Sequence, residues 1–240
     1  MVTEAIVLAG GLGTRLRSAV SDLPKAMAPV AGEPFLAYLL RHLERNGIRR
    51  VVLAVGYRHD AIQDYFGSAY GTLGLEYSVE RELLGTGGGL RQALLHVLGS
   101  HAFVVNGDTF LRLDYGPMAA ILEGPDDIDM LVALRSVSDA GRYGRVNVSD
   151  GRIQGFTAGG AEGPGLINAG CYLVRKDIFH RHPMPPKFSL EKDFLEARVA
   201  ELRPVAFPCD VPFIDIGVPQ AFQDAQTLIP AWVKEDSCRT

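Results

Sequence analysis

Near its start the chain places an apolar run, Ala5 to Ala9, before three glycines in four positions, Gly10, Gly11 and Gly13, and then Arg15, Arg17 and Lys25. The apolar run has the form of a buried strand. Glycines leave the backbone N–H groups of a turn bare, and the N-terminus of a following helix adds partial positive charge. With basic side chains nearby, this is chemistry suited to a phosphate. Two familiar phosphate loops do not fit. The P-loop needs G-x-x-x-x-G-K-[ST], and no Gly-Lys pair occurs in this turn. The dinucleotide fingerprint needs G-x-G-x-x-G, and Leu16 stands at its last position. On the glycines alone, a tight strand-to-helix turn with solvated arginines is an equal alternative.

Acids occur where such a loop would need them. "FVVNGDTF" is an apolar strand ending in Asn106-Gly107-Asp108. In open α/β sheets ligands gather at the carboxyl ends of strands, so Asp108 is placed to meet an ion. "PFIDIGVPQAF" sets Asp215 between Ile214 and Ile216, where an unpaired buried acid would be costly. A turn acid before Gly217 is the plainer reading.

The elements that must carry these residues alternate. Strand-like runs lie at Ala5–Ala9, Arg50–Val55, Leu75–Val79, Ala102–Val105, Met130–Leu134 and Gly170–Val174. Helical spacing is seen over Pro34–Asn46, Asp60–Phe66 and Gly88–Leu98, the last carrying Leu90, Leu94, Leu95 and Leu98. Strand and helix in turn through about residue 110 imply an α/β fold with a largely parallel sheet. "RVNVSDGRIQGF" carries a hairpin signal at Asp150-Gly151. No linker divides the chain, and no internal repeat is evident. The tail after Ile229, Trp232 among charges, is expected to be poorly ordered.

A formal net charge of −4, from 24 Lys and Arg against 28 Asp and Glu, argues against nucleic acid as a partner. Three cysteines, Cys171, Cys209 and Cys238, share no metal-like spacing and fit a reducing compartment. No secretory leader and no membrane span are expected, so the expected location is cytoplasmic.

The longer string decides the meaning of the opening loop. "LAGGLGTRL" followed by "PKAMAPVAGEPFLAYLL" resembles the signature of sugar-1-phosphate nucleotidyltransferases, G-G-x-G-T-R-L-x(n)-P-K-x-M-x-P-V-x-G-x-P, and the resemblance covers roughly residues 3 to 227. It implies a Rossmann-like α/β fold, a mostly parallel sheet with flanking helices and a β-rich sugar-binding elaboration. The implied nucleotidyltransferase domain is 1–228, with a nucleotide-binding half to about 110, a sugar-binding half over 111–228 and a tail at 229–240. It implies that Leu8, Ala9, Gly10 and Gly11 lie along base and ribose, that Gly13, Thr14 and Arg15 hold phosphates, and that Lys25 reaches the reacting phosphates. Arg15, Lys25 and Asp108 are the implied catalytic residues, with Asp108 and Asp215 holding Mg²⁺. "VERELLGTGGGLRQALL" resembles the base-recognition segment, with Glu80, Gly85 and Thr86 on the nucleotide; a helix start capped by Thr86 is the other reading.

The same resemblance assigns the acceptor side to Asn106, Tyr143 and Gly144 of "RYGRV", Asn168 of "LINAGCYLV", and Glu191 and Lys192 of "FSLEKDFL", where Ser189 is a plausible helix cap. Many relatives carry Phe-x-Glu-Lys at the hairpin; here Phe156-Thr157-Ala158-Gly159-Gly160 lacks both charges. Lys192 is a substitute for the missing phosphate contact, or a solvated helix lysine. Within the family, "LGTGGGL", "GLINAGCYL", "FSLEKDFL" and "FIDIGVPQAF" look most like the members that join GTP to D-glycero-α-D-manno-heptose 1-phosphate for bacterial surface polysaccharides. Mannose-1-phosphate guanylyltransferases, small uridylyltransferases and a non-catalytic regulatory subunit are the alternatives. A homodimer is left open.

Overall fold

The computed structural model describes residues 1–11, 23–124, 127–157 and 162–237. Gly13, Thr14, Arg15 and Arg17 lie outside the described residues, as do Cys238 and the part of the hairpin from Ala158 to Ala161. In chain order the elements are β1 Glu4–Leu8, β2 Pro29–Val30, β3 Glu33–Pro34, α1 Phe35–Arg45, β4 Arg50–Val55, α2 His59–Phe66, β5 Ala69–Tyr70, β6 Leu73–Val79, α3 Gly85–Leu94, β7 His101–Asn106, β8 Thr109–Leu111, α4 Tyr115–Ala120, β9 Met130–Val137, β10 Arg145–Ser149, β11 Arg152–Thr157, β12 Gly165–Arg175, α5 Ile178–Arg181, α6 Val199–Leu202, β13 Val205–Cys209, β14 Phe213–Asp215 and α7 Pro219–Ser237.

One mixed sheet runs β10-β11-β13-β9-β12-β7-β1-β4-β6-β5. Its β7, β1, β4 and β6 strands are parallel, with Leu8 of β1 opposite both Ala54 and Asn106. β12 is antiparallel to β7 and β9 and joins this half to the later strands. The faces of β1 explain its unbroken apolar run. Ala5 and Val7 pack on the side of α1 and α7, and Ile6 on the side of α3, so neither face meets water. The Asp150-Gly151 hairpin closes as expected, both residues having positive φ, 51° and 69°.

Three expectations are corrected. α3 ends at Leu94, not Leu98, and Leu95 and Leu98 are exposed. The carboxylate of Glu4 takes the backbone N–H groups of Leu98 at 3.0 Å and Gly99 at 2.6 Å, holding the chain in a turn where a helix would continue. The region after Ile229 is helical through Ser237. Ile229 is fully buried, Trp232 stacks on Phe110 at 6.1 Å, and Arg112 donates to Glu235 at 2.7 Å and Asp236 at 2.9 Å. The cap of α3 is Leu84, without a side-chain hydrogen bond, so Thr86 is not its cap. Ser189 does cap the π-helix Leu190–Glu196, accepting from the Lys192 N–H at 3.2 Å. No helix is long and apolar enough to cross a membrane among the described residues.

Two histidines give the fold opposing pH responses. His42 of α1 is buried against Phe110 and Tyr115 and meets the Leu113 carbonyl at 3.0 Å, and burial pushes its pKa down to about 4. Its stabilising contribution is present above the ordinary value of 6.5 and is lost as pH falls from there toward 4. His182 faces Glu201 through Nδ1 at 2.8 Å and Asp129 through Nε2 at 2.9 Å. Burial opposes its charge, but those hydrogen bonds outweigh burial and raise its pKa. Its contribution is therefore full below 6.5 and is lost as pH rises through the raised value. The urea-unfolding free energy should fall on acidification from pH 6.5 to 4.5 more steeply in the wild type than in His42→Gln, by up to roughly 1.4 kcal/mol per pH unit. Glutamine can still donate to Leu113 and takes no charge; equal slopes in the two proteins would refute the assignment.

Candidate active site

The parallel strands deliver their loops to one edge. β1 leads into Gly10 and Gly11, β4 into Gly56, β6 into Glu80, and β7 into Gly107-Asp108. A cleft of about 460 Å³ opens there, walled by Leu8, Ala9, Gly10, Gly11, Lys25, Ala26, Ala54, Glu80, Leu83, Gly85, Thr86, Asn106, Gly107, Asp108 and Lys187. At one end stands Glu80. It is half-buried and accepts from the Leu84 N–H at 3.3 Å, and burial raises its pKa above the ordinary carboxylate value. Gly10 makes room for it, since a Cβ there would lie 2.5 Å from Glu80 Oε1.

The charged end is built by the short ribbon of β8 and β14, in which Asp215 is opposite Thr109. The Ile216 N–H also bonds the Asp108 carbonyl at 3.0 Å, so the two acids are brought together by main-chain pairing. Lys25 sits in a 3₁₀ turn, its Nζ 2.5 Å from Asp108 Oδ2 and 3.9 Å from Asp215 Oδ1. Asp215 is held further by the Gly217 N–H at 2.7 Å and by Arg142 at 3.3 Å. Two carboxylates thus converge on one ammonium, Asp108 closely and Asp215 at longer range. Among the described residues no group of three or more His, Cys, Asp or Glu could hold a metal. A hard cation there would complete its shell with phosphate oxygens and water, as Mg²⁺ prefers.

The residues assigned to the acceptor side fall around this cleft to different degrees. Asn106 is on its wall, and among the described residues its buried side-chain Oδ1 has no partner. Such an orphan acceptor on a cleft wall awaits a donor. Glu191 reaches the wall by accepting from the Thr86 hydroxyl at 2.8 Å, while that hydroxyl accepts from the Leu190 N–H at 2.9 Å. Asn168 donates to the Tyr172 hydroxyl at 2.9 Å and accepts from the Gly170 N–H at 3.0 Å inside the β12 bulge, which leaves its amide a second N–H and a second lone pair. Tyr143 packs edge-on to Phe213 at 5.9 Å beneath the Arg142 guanidinium, and Gly144, φ 82°, turns the chain into β10. Lys192 is exposed and is not on the cleft wall. Leu83 and Arg142 stand in segments assigned to the site without being singled out, whereas Lys187 was not legible as a site residue. Its segment matches no phosphate motif, and only the packing of a distant loop brings it in.

The match to known proteins follows this geometry. The family model described as nucleotidyl transferase matches residues 4–231. The chain belongs to the nucleotidyl transferase family. D-glycero-alpha-D-manno-heptose 1-phosphate guanylyltransferases of Aneurinibacillus thermoaerophilus and Campylobacter jejuni are each 40% identical, over 96% of this chain and 100% of the first protein, and 91% of this chain and 96% of the second. Two crystal structures of HddC from Yersinia pseudotuberculosis, one complexed with GMP-PN, are 35% identical over 94% of this chain and 98% of theirs, with TM-scores of 0.82 and 0.81. The Rossmann-like fold expected of a nucleotidyl transferase is thus the one observed.

Gly107 tests whether this nucleotidyl transferase depends on the crossing of β1 by the Asp108 turn. A Cβ at Gly107 would lie 2.8 Å from the Leu8 carbonyl oxygen and 3.2 Å from Ala9 Cα, neither of which can swing aside. Gly107→Ala should displace Asp108 and cut turnover on the order of a hundredfold, while the protein stays folded. Pyrophosphate-release rates alongside thermal melts check this, and wild-type turnover would refute it.

Proposed function

We propose that this nucleotidyl transferase joins GTP to D-glycero-α-D-manno-heptose 1-phosphate, giving GDP-heptose and pyrophosphate. The observation that carries the base is Glu80. A carboxylate only accepts, and it presents two acceptors side by side. The guanine edge offers two adjacent donors, N1–H and the N2 amino group. Adenine and cytosine offer one donor beside an acceptor, and uracil and thymine one donor between two carbonyls. A half-buried acceptor pair therefore suits guanine and leaves any other base with an unmet or repelled group. The two guanylyltransferases at 40% identity support the same base and the heptose.

In the reaction a phosphate oxygen of the sugar 1-phosphate attacks the α-phosphorus. The new O–P bond forms as the bond to the β-phosphate oxygen breaks, and pyrophosphate leaves with those electrons. No protein atom bonds covalently to substrate, so positioning and charge neutralisation supply the catalysis. Lys25 is placed to exchange its carboxylate partners for phosphate oxygens, and the bare N–H groups near Gly10 and Gly11 line the approach. Asp108 and Asp215 would hold Mg²⁺, whose contribution when bound is to neutralise phosphate charge. Asn106 offers its unpartnered carbonyl to a hydroxyl of ribose or sugar.

The deciding experiment is a matrix of five nucleoside triphosphates against heptose, mannose and glucose 1-phosphates, read by pyrophosphate release. GTP with the heptose should give the highest kcat/KM. Mannose 1-phosphate should react roughly ten- to two-hundred-fold less well, because it lacks one hydroxymethylene unit. Equal or better mannose turnover would refute the heptose assignment, and a better UTP rate would refute the base. Glu80→Gln should cut kcat/KM for GTP on the order of a hundredfold and erase its lead over ATP, since the amide replaces one acceptor by a donor. Asp108→Asn and Asp215→Asn should each lower turnover by about two orders of magnitude or more at saturating Mg²⁺. Near wild-type rates in both would remove the metal assignment.

A further inference from the structure

The groups that hold Glu80 lie outside its own strand. Its carboxylate accepts from the Leu84 N–H at 3.3 Å. The Leu84 carbonyl accepts from the Phe188 N–H at 3.0 Å, and the Phe188 carbonyl accepts from the N–H groups of Gly87 and Gly88 at 3.1 and 3.3 Å. A distant segment therefore caps α3, and the helix needs that cap. Leu84 supplies no side-chain hydrogen bond, and four of the first five residues, Gly85, Gly87, Gly88 and Gly89, are the poorest helix formers after proline. Side chains there would prevent the contact. A Cβ at Gly87 would overlap the Phe188 ring, one at Gly88 would lie 2.8 Å from the Pro186 carbonyl oxygen, and one at Gly89 2.6 Å from Glu80 Oε1. Phe188 itself is buried against Phe179, 5.1 Å away.

The segment that brings Phe188 to α3 begins Pro183-Met184-Pro185-Pro186. Three of these four residues have no N–H, so the run offers its neighbours chiefly carbonyls. Arg91 of α3 meets them. Its guanidinium donates to the carbonyls of Met184 at 3.0 Å, Pro185 at 3.1 Å and Pro186 at 2.8 Å, and lies over the Phe188 ring at 5.6 Å. Five donors in a fixed fork, with no acceptor among them, are the complement of consecutive carbonyls. Resting on the proposed reading of Glu80, we infer that Arg91 is a positioning residue for base selection. Arg91 is not on the cleft wall. It pins the proline-rich run, the run caps α3 and holds Leu84, and Leu84 holds the Glu80 carboxylate. Loss of the fork leaves every group that meets the nucleotide in the chain but frees the carboxylate to take several positions, so the preference for guanine over adenine weakens.

The test compares full-length wild type, Arg91→Met, Arg91→Lys and Glu80→Gln, using GTP and ATP with the sugar 1-phosphate that works best for the wild type. The readout is the ratio of kcat/KM for GTP to that for ATP, which does not depend on how much of the protein is folded. Arg91→Met should narrow this ratio by roughly tenfold or more, chiefly through KM for GTP. Arg91→Lys should fall between it and the wild type, because one ammonium cannot span three carbonyls. The Gly87 and Gly88 amides should exchange with deuterium faster in Arg91→Met. An unchanged ratio in both Arg91 variants, an equal loss for GTP and ATP, or unchanged exchange at those amides would overturn the inference, and Arg91 would serve the fold alone. Glu80→Gln separates the two readings. If it erases the GTP lead while Arg91→Met preserves it, the inference fails and the reading of Glu80 stands. If Glu80→Gln keeps the GTP lead, both fail.

Discussion

The site depends on the parallel alignment of β1 with its two neighbours. Because Leu8 is level with both Ala54 and Asn106, the chain leaves three strands at one height and on one edge. A shift in that register would separate the glycine turn from Asp108 and tilt Glu80 away from Gly10. The alignment is held by side chains buried on both faces, so the chemistry at the edge is positioned by the apolar interior. The polar groups need supply no rigidity of their own.

The second half of the chain reaches this edge by different means. β12 pairs antiparallel with β7, and β14 pairs with β8 immediately after Asp108. The ribbon of β8 and β14 is only three residues long on each side, yet it decides where the second acid stands. Just beyond it, a hydrogen bond from the Ile216 N–H to the Asp108 carbonyl ties the two acid-bearing turns. The Arg91 fork does the corresponding work on the opposite wall.

Much of this was legible in the sequence, for identifiable reasons. Strands buried on both faces write themselves as unbroken apolar runs, which is why β1, β4 and β7 were placed within a residue or so. Pro24-Lys25 and Asn106-Gly107-Asp108 are positional chemistry, and residue type alone reveals them. The start of α3 was hidden because "GTGGG" is a poor helix former. Its glycines answer to Phe188 and Pro186, far along the chain, and no local pattern records that demand. The end of α3 was misread because Leu95 and Leu98 continue the apolar spacing, whereas Glu4 captures the backbone there. The last turns of α7 were hidden by Pro230 and a run of charges whose partner, Arg112, is distant in sequence. Lys187 was invisible for the same reason.

The described walls of the cleft carry Lys25 and Lys187 against Glu80 and Asp108, and just beyond them Arg142 against Asp215. Each cation is matched by an anion, and the whole chain is negative by four charges. The residues described therefore make no broad positive funnel to draw a triphosphate from afar. On the proposed function, a ligand at this half of the cleft would be captured by exchange of partners at contact range, Lys25 giving up carboxylates for phosphates.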